Sequence, residues 1–321
     1  MSSQETTKFW KQLREDTIDK FSTDGLPKSI ELPALPHAVM EFVEKSADPN
    51  FDVAVLAAVV EKDSALTVEL LRYVNSASFS MRGKANNVKD AILQIGVTNA
   101  KNHLIAAGMQ AASRAVHSRL INQRNFWNEC LQKALFAREV ARRMKLNPGL
   151  AFLGGLLQDY LLPVLTNHYD DQYVKYMSEE ARDGRSLADW EQEHFGWSHA
   201  TAGAYLAAQW SFPDDILCAL WYHHSLQEVL QGSGEAMFQL FPIALAGMLP
   251  DQLRQLPDGL AEIIRVDDQC KALQVDEVCV VVDEQQMELA DGYDIPNHLT
   301  KLLEATRNIT GQLATLKPSA G

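Results

Sequence analysis

The histidines of this chain are concentrated in its second half, where His194, His199, His223 and His224 lie within about thirty residues. Neutral imidazole is the commonest metal ligand in proteins, so four such side chains are candidates for a metal site. The same spacing also fits packed or surface histidines. His223 and His224 are adjacent, and neighbouring side chains of a helix point about 100° apart. We therefore expect at most one of the two to face a given site easily.

A second polar feature is the pair Gln158-Asp159, which interrupts the apolar segment GGLLQDYLLPVL of residues 154–165. Two polar side chains in such a segment cost free energy unless they are paired or have a function. The pair is therefore either part of a site or hydrogen-bonded to the helices around it.

Motifs for other chemistry are absent from the sequence. It contains no Gly-x-Ser-x-Gly, Walker loop, Rossmann fingerprint or His-Glu-x-x-His motif. Its four cysteines are scattered without a Cys-x-x-Cys pair, which favours neither a zinc knot nor a disulfide framework and fits a reducing compartment. The polar N-terminus lacks a signal-peptide pattern, and no uninterrupted apolar run approaches the roughly 18 residues of a membrane span. We expect a cytoplasmic protein without a membrane segment.

The formal net charge of −13 disfavours binding to nucleic acid, which requires a basic surface. The charge is uneven along the chain. Residues 258–294 carry 11 acidic and two basic side chains, whereas residues 111–145 carry eight basic and two acidic ones. These stretches are either solvated helix faces, a partner surface, or a contact between two parts of the chain.

The periodicity of apolar residues is typical of helices throughout, with Asp52, Asp63 and Ser198 as candidate N-caps. The segment VDEVCVVVDEQQ is ambiguous, because its valines favour a strand. A strand needs partners, however, and no other segment offers a convincing one. We therefore predict a helix there and an all-α fold for the whole chain.

Several short motifs occur in an order that resembles the HDOD domain family. They are Leu32-Pro33-Ala34-Leu35-Pro36, Asp63-Ser64-Ala65-Leu66-Thr67, Asn75-Ser76-Ala77, Ala91-Ile92 with Gly96, the FW before a long helix, GGLLQD, HATAGAYLAAQWSFP and a closing HH. The resemblance extends from about Leu32 to His224. It implies a multi-helix fold in which an N-terminal helical lobe packs on an HD-like helical lobe.

The resemblance also implies kinship with the HD-type metal-dependent phosphohydrolases, which bind metal through one His, an adjacent His-Asp and a distant Asp. Here Gln158 stands at the His of the His-Asp pair, and Glu129 falls at or near the first His. An amide oxygen is a poor replacement for imidazole on a transition metal, although Glu129 could still bind a hard cation such as magnesium. We therefore expect a vestigial site without metal, cofactor or catalytic residue, formed by Glu129, Gln158, Asp159, His199, His223 and His224.

The family resemblance leads to two hypotheses about function. The first is a non-catalytic bacterial signalling protein that binds a protein partner or a small ligand through its HDOD domain, with no nucleic acid and no membrane; a homodimer is left open. The alternative is a phosphohydrolase or cyclic-dinucleotide phosphodiesterase with an altered metal site. The predicted division is an N-terminal helix (1–25), an N-terminal lobe (26–118), an HD-like lobe (119–230) and a C-terminal helical extension (231–321).

The helix that contains Leu70 and Leu71 is predicted to end at Asn75. This residue is interpreted as a C-terminal cap, or alternatively as a contact with the HD-like lobe that relays a signal.

Overall fold

The computed structural model describes residues 3–28, 30, 35–48, 50–75, 84–113, 116–178, 184–232, 234–289 and 297–316. Regular secondary structure in these residues is entirely helical, with no strand, which confirms the all-α prediction. Two of the motifs fall partly elsewhere: Leu32-Pro33-Ala34 and Ser76-Ala77 lie outside the described residues.

The first group of helices precedes residue 114. It consists of α1 (Ser3–Asp16), α2 (His37–Ser46), α3 (Val53–Glu61), α4 (Ser64–Val74), α5 (Val88–Ile95) and α6 (Val97–Ser113). The predicted caps are present: the Asp52 carboxylate accepts a hydrogen bond from the Ala54 amide, and that of Asp63 accepts from Ala65 and Leu66. These bonds satisfy amides that have no partner inside the helix.

Asn75 follows α4, and its side chain joins the end of this helix to the segment that leads into α5. Its side-chain nitrogen donates to the Ala85 carbonyl at 3.0 Å, and its side-chain oxygen accepts from the Ala85 amide at 2.9 Å. The helix-end interpretation therefore describes this residue, which joins two segments by local hydrogen bonds.

The second group of helices surrounds the polar pair. It consists of α7 (Gln123–Arg143), α8 (Pro148–Leu157), α9 (Leu162–His168), α10 (Asp170–Met177), α11 (Leu187–Phe195), α12 (His199–Ala207), α13 (Asp214–Tyr222) and α14 (Leu226–Gln231). Helices α7 and α8 cross closely because Gly155 has no side chain. A Cβ atom there would lie 2.9 Å from the Lys133 carbonyl oxygen. This crossing brings the end of α8 beside the middle of α7.

Helices α8 and α9 together form an apolar stretch, Pro148–His168, that is long and apolar enough to cross a membrane by length and composition alone. In the folded chain, however, 89% of its most apolar window is buried inside the protein. Such burial identifies the stretch as core helices packed against the rest of the molecule.

The remaining helices pack back onto this group. They are α15 (Glu235–Phe238), α16 (Phe241–Ala246), α17 (Gly259–Gln269), α18 (Val275–Leu289) and α19 (Leu299–Leu316). The valine-rich segment is helix α18, as predicted, and it packs on α7. Arg143 of α7 pairs with Glu277 of α18 at 3.0 Å, so the basic and acidic stretches meet within the chain.

Candidate functional site

A buried lysine lies at the centre of the polar cluster inside the second group of helices. Lys133 comes from the middle of α7 and is 1% exposed. Its Nζ lies 2.7 Å from Asp159 Oδ2 and 2.8 Å from Asp251 Oδ2. Asp159 lies in the turn after α8, and Asp251 lies in the loop that follows α16. A single ammonium group thus bridges two carboxylates from distant parts of the chain.

This bridge fixes the charge of its members. Burial alone would lower the pKa of Lys133, but the two carboxylates raise it well above its ordinary value. Burial would raise the pKa of Asp159, but Lys133, His199 and His223 hold it well below the usual range. Lys133 and Asp159 are therefore charged at neutral pH, and each compensates the desolvation of the other.

Two glutamines complete the cluster around Asp159. Gln255 donates to Asp159 Oδ1 at 3.1 Å and to Asp251 Oδ2 at 2.7 Å. Gln158 donates to Asp159 Oδ2 only at 3.5 Å, and its Oε1 is buried without a hydrogen-bond partner in the described part of the chain. Hydrogen bonds to the surrounding helices were one of the two roles predicted for the pair, and the Gln158 oxygen makes none among the described residues.

His199, His223 and His224 converge beside Asp159, whereas His194 stacks on Trp190 elsewhere. The expectation that only one of His223 and His224 would face a site is wrong. The reason is that α13 ends at Tyr222: His223 is its C-cap and His224 lies beyond the helix, so the 100° rule does not apply. The Nε2 atom of His199 lies 3.2 Å from that of His223 and 3.0 Å from that of His224.

The outer nitrogens of two of these rings are held by fixed acceptors. His199 Nδ1 lies 2.6 Å from Glu191 Oε2, and His223 Nδ1 lies 2.7 Å from the Leu220 carbonyl. Burial would lower the pKa of His199, but Glu191 and Asp159 raise it to about 9. Burial and the neighbouring His199 lower the pKa of His223 to about 3. At neutral pH, His199 is therefore the protonated ring, and its Nε2 lies within hydrogen-bond distance of both His223 and His224.

Glu129 lies one helical turn before Lys133 and belongs to the edge of the cluster. Its Oε2 accepts a hydrogen bond from Gln252 at 3.2 Å. Burial, and then the charge of Asp251, raise the pKa of Glu129 to about 7. This carboxyl group is therefore close to half-protonated at neutral pH.

The cluster contains two sets of donors that differ in their fit to a metal ion. The carboxylates Asp159 and Asp251 do not fit a cation between them, because the Lys133 ammonium already lies in hydrogen-bond contact with both. The three Nε2 atoms and Asp159 form the other set, whose ligand atoms all lie within 4.8 Å of one another. Imidazole rings oriented by a carboxylate or a carbonyl through their other nitrogen are typical of metal ligands. Once His199 Nε2 has lost its proton, this second set fits one ion that prefers nitrogen ligands.

Sequence reasoning named five members of this cluster, namely Gln158, Asp159, His199, His223 and His224. It also named Glu129 at or near the first-His position, and the structure places this residue at the edge of the cluster. It did not find Lys133, Asp251, Gln255 or Glu191. Lys133 occurs in an amphipathic helix, and a lysine in such a helix is ordinarily assigned to the solvent-exposed face. The resemblance did call for a distant Asp, and Asp251 is the residue that the fold brings to Asp159.

Comparisons with known proteins agree with this arrangement of helices. The sequence model of the HDOD domain family matches residues 32–226. A curated relative, an uncharacterised protein of Treponema pallidum (strain Nichols), is 26% identical over 200 residues. The match covers 61% of this chain and 38% of that relative, so the chain spans well under half of its length.

Solved structures share the fold at low sequence identity. An HDOD domain protein with unknown function from Geobacter sulfurreducens has a TM-score of 0.58 and 19% identity, covering 88% of this chain and 99% of its own. A Shewanella amazonensis protein whose name proposes phosphohydrolase activity has a TM-score of 0.61 and 21% identity, with coverages of 84% and 98%. The family match spans more than half of the sequence and falls on the helices that build the cluster: the chain belongs to the HDOD domain family.

Proposed function

We propose that this chain is a non-catalytic regulatory protein of the HDOD family, which acts by binding a protein partner or a small ligand. The observation that carries the proposal is the Lys133 ammonium between Asp159 and Asp251. A metal-dependent phosphohydrolase uses divalent cations to activate water and to neutralise phosphoryl oxygens. Here a side chain of the protein neutralises the carboxylates, an ammonium cannot activate water as a Lewis acid, and the Lys133 ammonium is already paired with two carboxylates.

The bacterial signalling context is part of the same proposal. The relatives named above come from bacteria, and a Marinobacter aquaeolei structure of the same fold (TM-score 0.56, 18% identity, covering 89% of this chain and 66% of its own) belongs to a protein for which a role in signal transduction has been proposed. Cysteines Cys130, Cys218, Cys270 and Cys279 are free thiols, which supports a reducing compartment such as the cytoplasm.

The experiment that tests the proposal is a hydrolysis assay on the full chain. Cyclic dinucleotides, nucleotides and a generic phosphodiester are incubated with the wild-type protein and with Asp159→Asn, in the presence of magnesium, manganese or iron. We expect no turnover above background with any metal. Metal-dependent turnover that Asp159→Asn abolishes would overturn the proposal.

A second candidate function is favoured by the convergence of His199, His223, His224 and Asp159. These residues would hold a single divalent ion, which would supply a Lewis acid for phosphoester hydrolysis. Elemental analysis separates the two candidates. Stoichiometric zinc, iron or manganese in the wild-type protein, lost in His223→Ala but retained in Asp251→Asn, would favour this enzyme over the metal-free regulator.

A further inference from the structure

A cavity separate from the Lys133 cluster lies between the two groups of helices. Its volume is about 380 Å³, and its walls come from α4, α6, α7 and α8, with the end of α18 at one side. We call it the inter-lobe cleft and define it by Tyr73, His103, Trp127 and Phe152. The rings of Tyr73 and His103 are stacked, with centroids 4.0 Å apart and an interplanar angle of 11°. Aromatic faces therefore line the cleft from both groups of helices.

A smaller hollow with basic walls lies beside the inter-lobe cleft. This hollow has a volume of about 100 Å³ and shares Tyr73, His103 and Phe152 with the cleft. Arg138 and Arg142 of α7 lie along it. Arg142 is exposed and lies 3.7 Å from Glu139, so it is partly neutralised.

Arg138 is a buried cation that has no carboxylate within salt-bridge distance among the described residues. It is 6% exposed, and its guanidinium carbon lies 5.1 Å from the centre of the Phe152 ring. Its Nη2 donates to the neutral side chain of Gln285 at 2.8 Å, and the guanidinium also hydrogen-bonds to the neutral hydroxyl of Tyr73. Its Nε is buried and finds no hydrogen-bond partner in the part of the chain that the structure describes. Burying a charged side chain costs free energy unless an opposite charge lies beside it. An anion bound in the hollow would provide that opposite charge for Arg138.

We propose that the inter-lobe cleft binds a mononucleotide, with its base among the aromatic rings and its phosphate at Arg138 and Arg142. Aromatic side chains stack on any base, and the planar guanidinium fork pairs with phosphate oxygens in two parallel hydrogen bonds. Glu69, whose carboxylate is paired with Arg72 at 2.7 Å, and Gln110 line the wider part as polar groups within the cleft. The volume is within the range of small-molecule sites.

The inference rests on the proposed function in that it names a small ligand, but none of the residues that define the site belongs to the Lys133 cluster. The two tests are distinguishable, because metal-dependent hydrolysis would overturn the proposed function and absent mononucleotide binding would overturn only this assignment. A mononucleotide at this position would contact helices of both groups at once, so its binding would bear on how the two groups pack against each other.

Isothermal titration of the full chain tests the assignment. The probes are AMP, GMP, CMP and UMP, the matching nucleosides, and ribose 5-phosphate. We expect at least one mononucleotide to bind with micromolar affinity, and its nucleoside to bind at least about tenfold more weakly, as expected for loss of charge-assisted hydrogen bonds. No binding by any mononucleotide at millimolar concentration, or equal affinity for the nucleoside, would overturn the proposal.

Substitutions then separate the two parts of the site. Arg138→Met keeps an apolar stem but removes the guanidinium, and it should weaken mononucleotide binding by about tenfold or more while leaving nucleoside binding unchanged. Trp127→Ala should weaken both ligands. Because Arg138 is buried, the exposed Arg142→Gln provides a second variant, expected to weaken the mononucleotide severalfold. The matched control is Arg265→Gln on α17, outside the cleft, which should bind as the wild type does. Unchanged mononucleotide affinity in both Arg138→Met and Arg142→Gln would contradict the assignment.

Discussion

At the scale of single residues, the position of Lys133 determines what the polar cluster can do. Its ammonium makes two short contacts with carboxylates, and all three side chains are nearly inaccessible to water. Removing one partner of such a buried network leaves the remaining charges unpaired. The free energy lost in this way is larger than the free energy by which the intact network stabilises the fold. The lysine is therefore coupled to the stability of the fold as well as to the chemistry of the cluster.

Lys133→Met tests this coupling. The variant keeps the apolar stem of the side chain but leaves Asp159 and Asp251 facing each other without a cation. We expect the free energy of unfolding, measured with urea at pH 7 in the presence of EDTA, to fall by about 3–5 kcal/mol. The control is the exposed Lys175→Met on α10, which should change it by less than about 0.5 kcal/mol. A loss below about 1 kcal/mol for Lys133→Met would show that the bridge is not formed.

Glu129 supplies a prediction about pH at the same scale. Its pKa in the folded protein is about 7, against 4.5 for the ordinary side chain, so the folded state holds this proton more tightly than the unfolded state. The resulting stabilisation is complete below about pH 4.5 and disappears as the pH rises through 7. Glu129→Gln stays in the uncharged form, and its amide oxygen can still accept from Gln252.

The stability of the wild type relative to Glu129→Gln should therefore fall between pH 5 and pH 8, by about 2 kcal/mol once partial exposure is allowed for. Urea titrations at each pH measure this difference. Glu61→Gln, an exposed carboxylate on α3, is the control and should follow the wild type across the range. A difference that stays constant with pH would mean that Glu129 titrates normally.

At the scale of elements, the crossing of α7 and α8 places Lys133 beside Asp159. The two adjacent glycines of α8 have different roles in it. A Cβ at Gly155 would meet the backbone of α7, 2.9 Å from the Lys133 carbonyl oxygen and 3.1 Å from Ala134 Cα. A Cβ at Gly154 would instead meet side chains only: the Ile243 Cδ1 at 2.7 Å, which can shift, and the Ala219 Cβ at 3.1 Å, which is a tight but milder contact.

Gly155→Ala should therefore destabilise the protein by about 2 kcal/mol, because overpacking against a backbone outweighs the gain in helix propensity. Gly154→Ala carries the same change in propensity and should stay within about 1 kcal/mol of the wild type. Thermal and urea unfolding of the matched pair provide the measurement. Equal losses for both variants would indicate that close approach of the two helices is not the cause.

Local signals explain which elements were predictable from the sequence. The caps at Asp52, Asp63 and Ser198 depend on residues within three positions, so the helix starts could be read directly. Adjacent His223 and His224 were misjudged because the end of α13 depends on packing, and no local stop signal marks it. Asp251 and Lys133 are 118 positions apart, and no pattern within one helix indicates that they meet.

At the scale of the whole molecule, the C-terminal part of the chain packs against α7, chiefly through α16 and α18. Gln132 donates to Gln286 of α18 at 3.0 Å and to the Asn297 carbonyl at 2.8 Å, inside the packed interface. For the basic stretch 111–145 and the acidic stretch 258–294, an internal contact was one of three interpretations of the sequence. The folded arrangement shows that Arg143 and Glu277 meet. The family resemblance predicted the order of helices, while the cation inside the cluster depends on the tertiary structure.

The central claim is that Lys133 occupies the place of a metal ion between Asp159 and Asp251. Its most direct test is a calorimetric titration of manganese into EDTA-treated wild type, Lys133→Met and Asp251→Asn. We predict no binding to the wild type that depends on Asp251, and new manganese binding in Lys133→Met, where the two carboxylates lack a cation. Stoichiometric binding to the wild type that Asp251→Asn abolishes would contradict the claim.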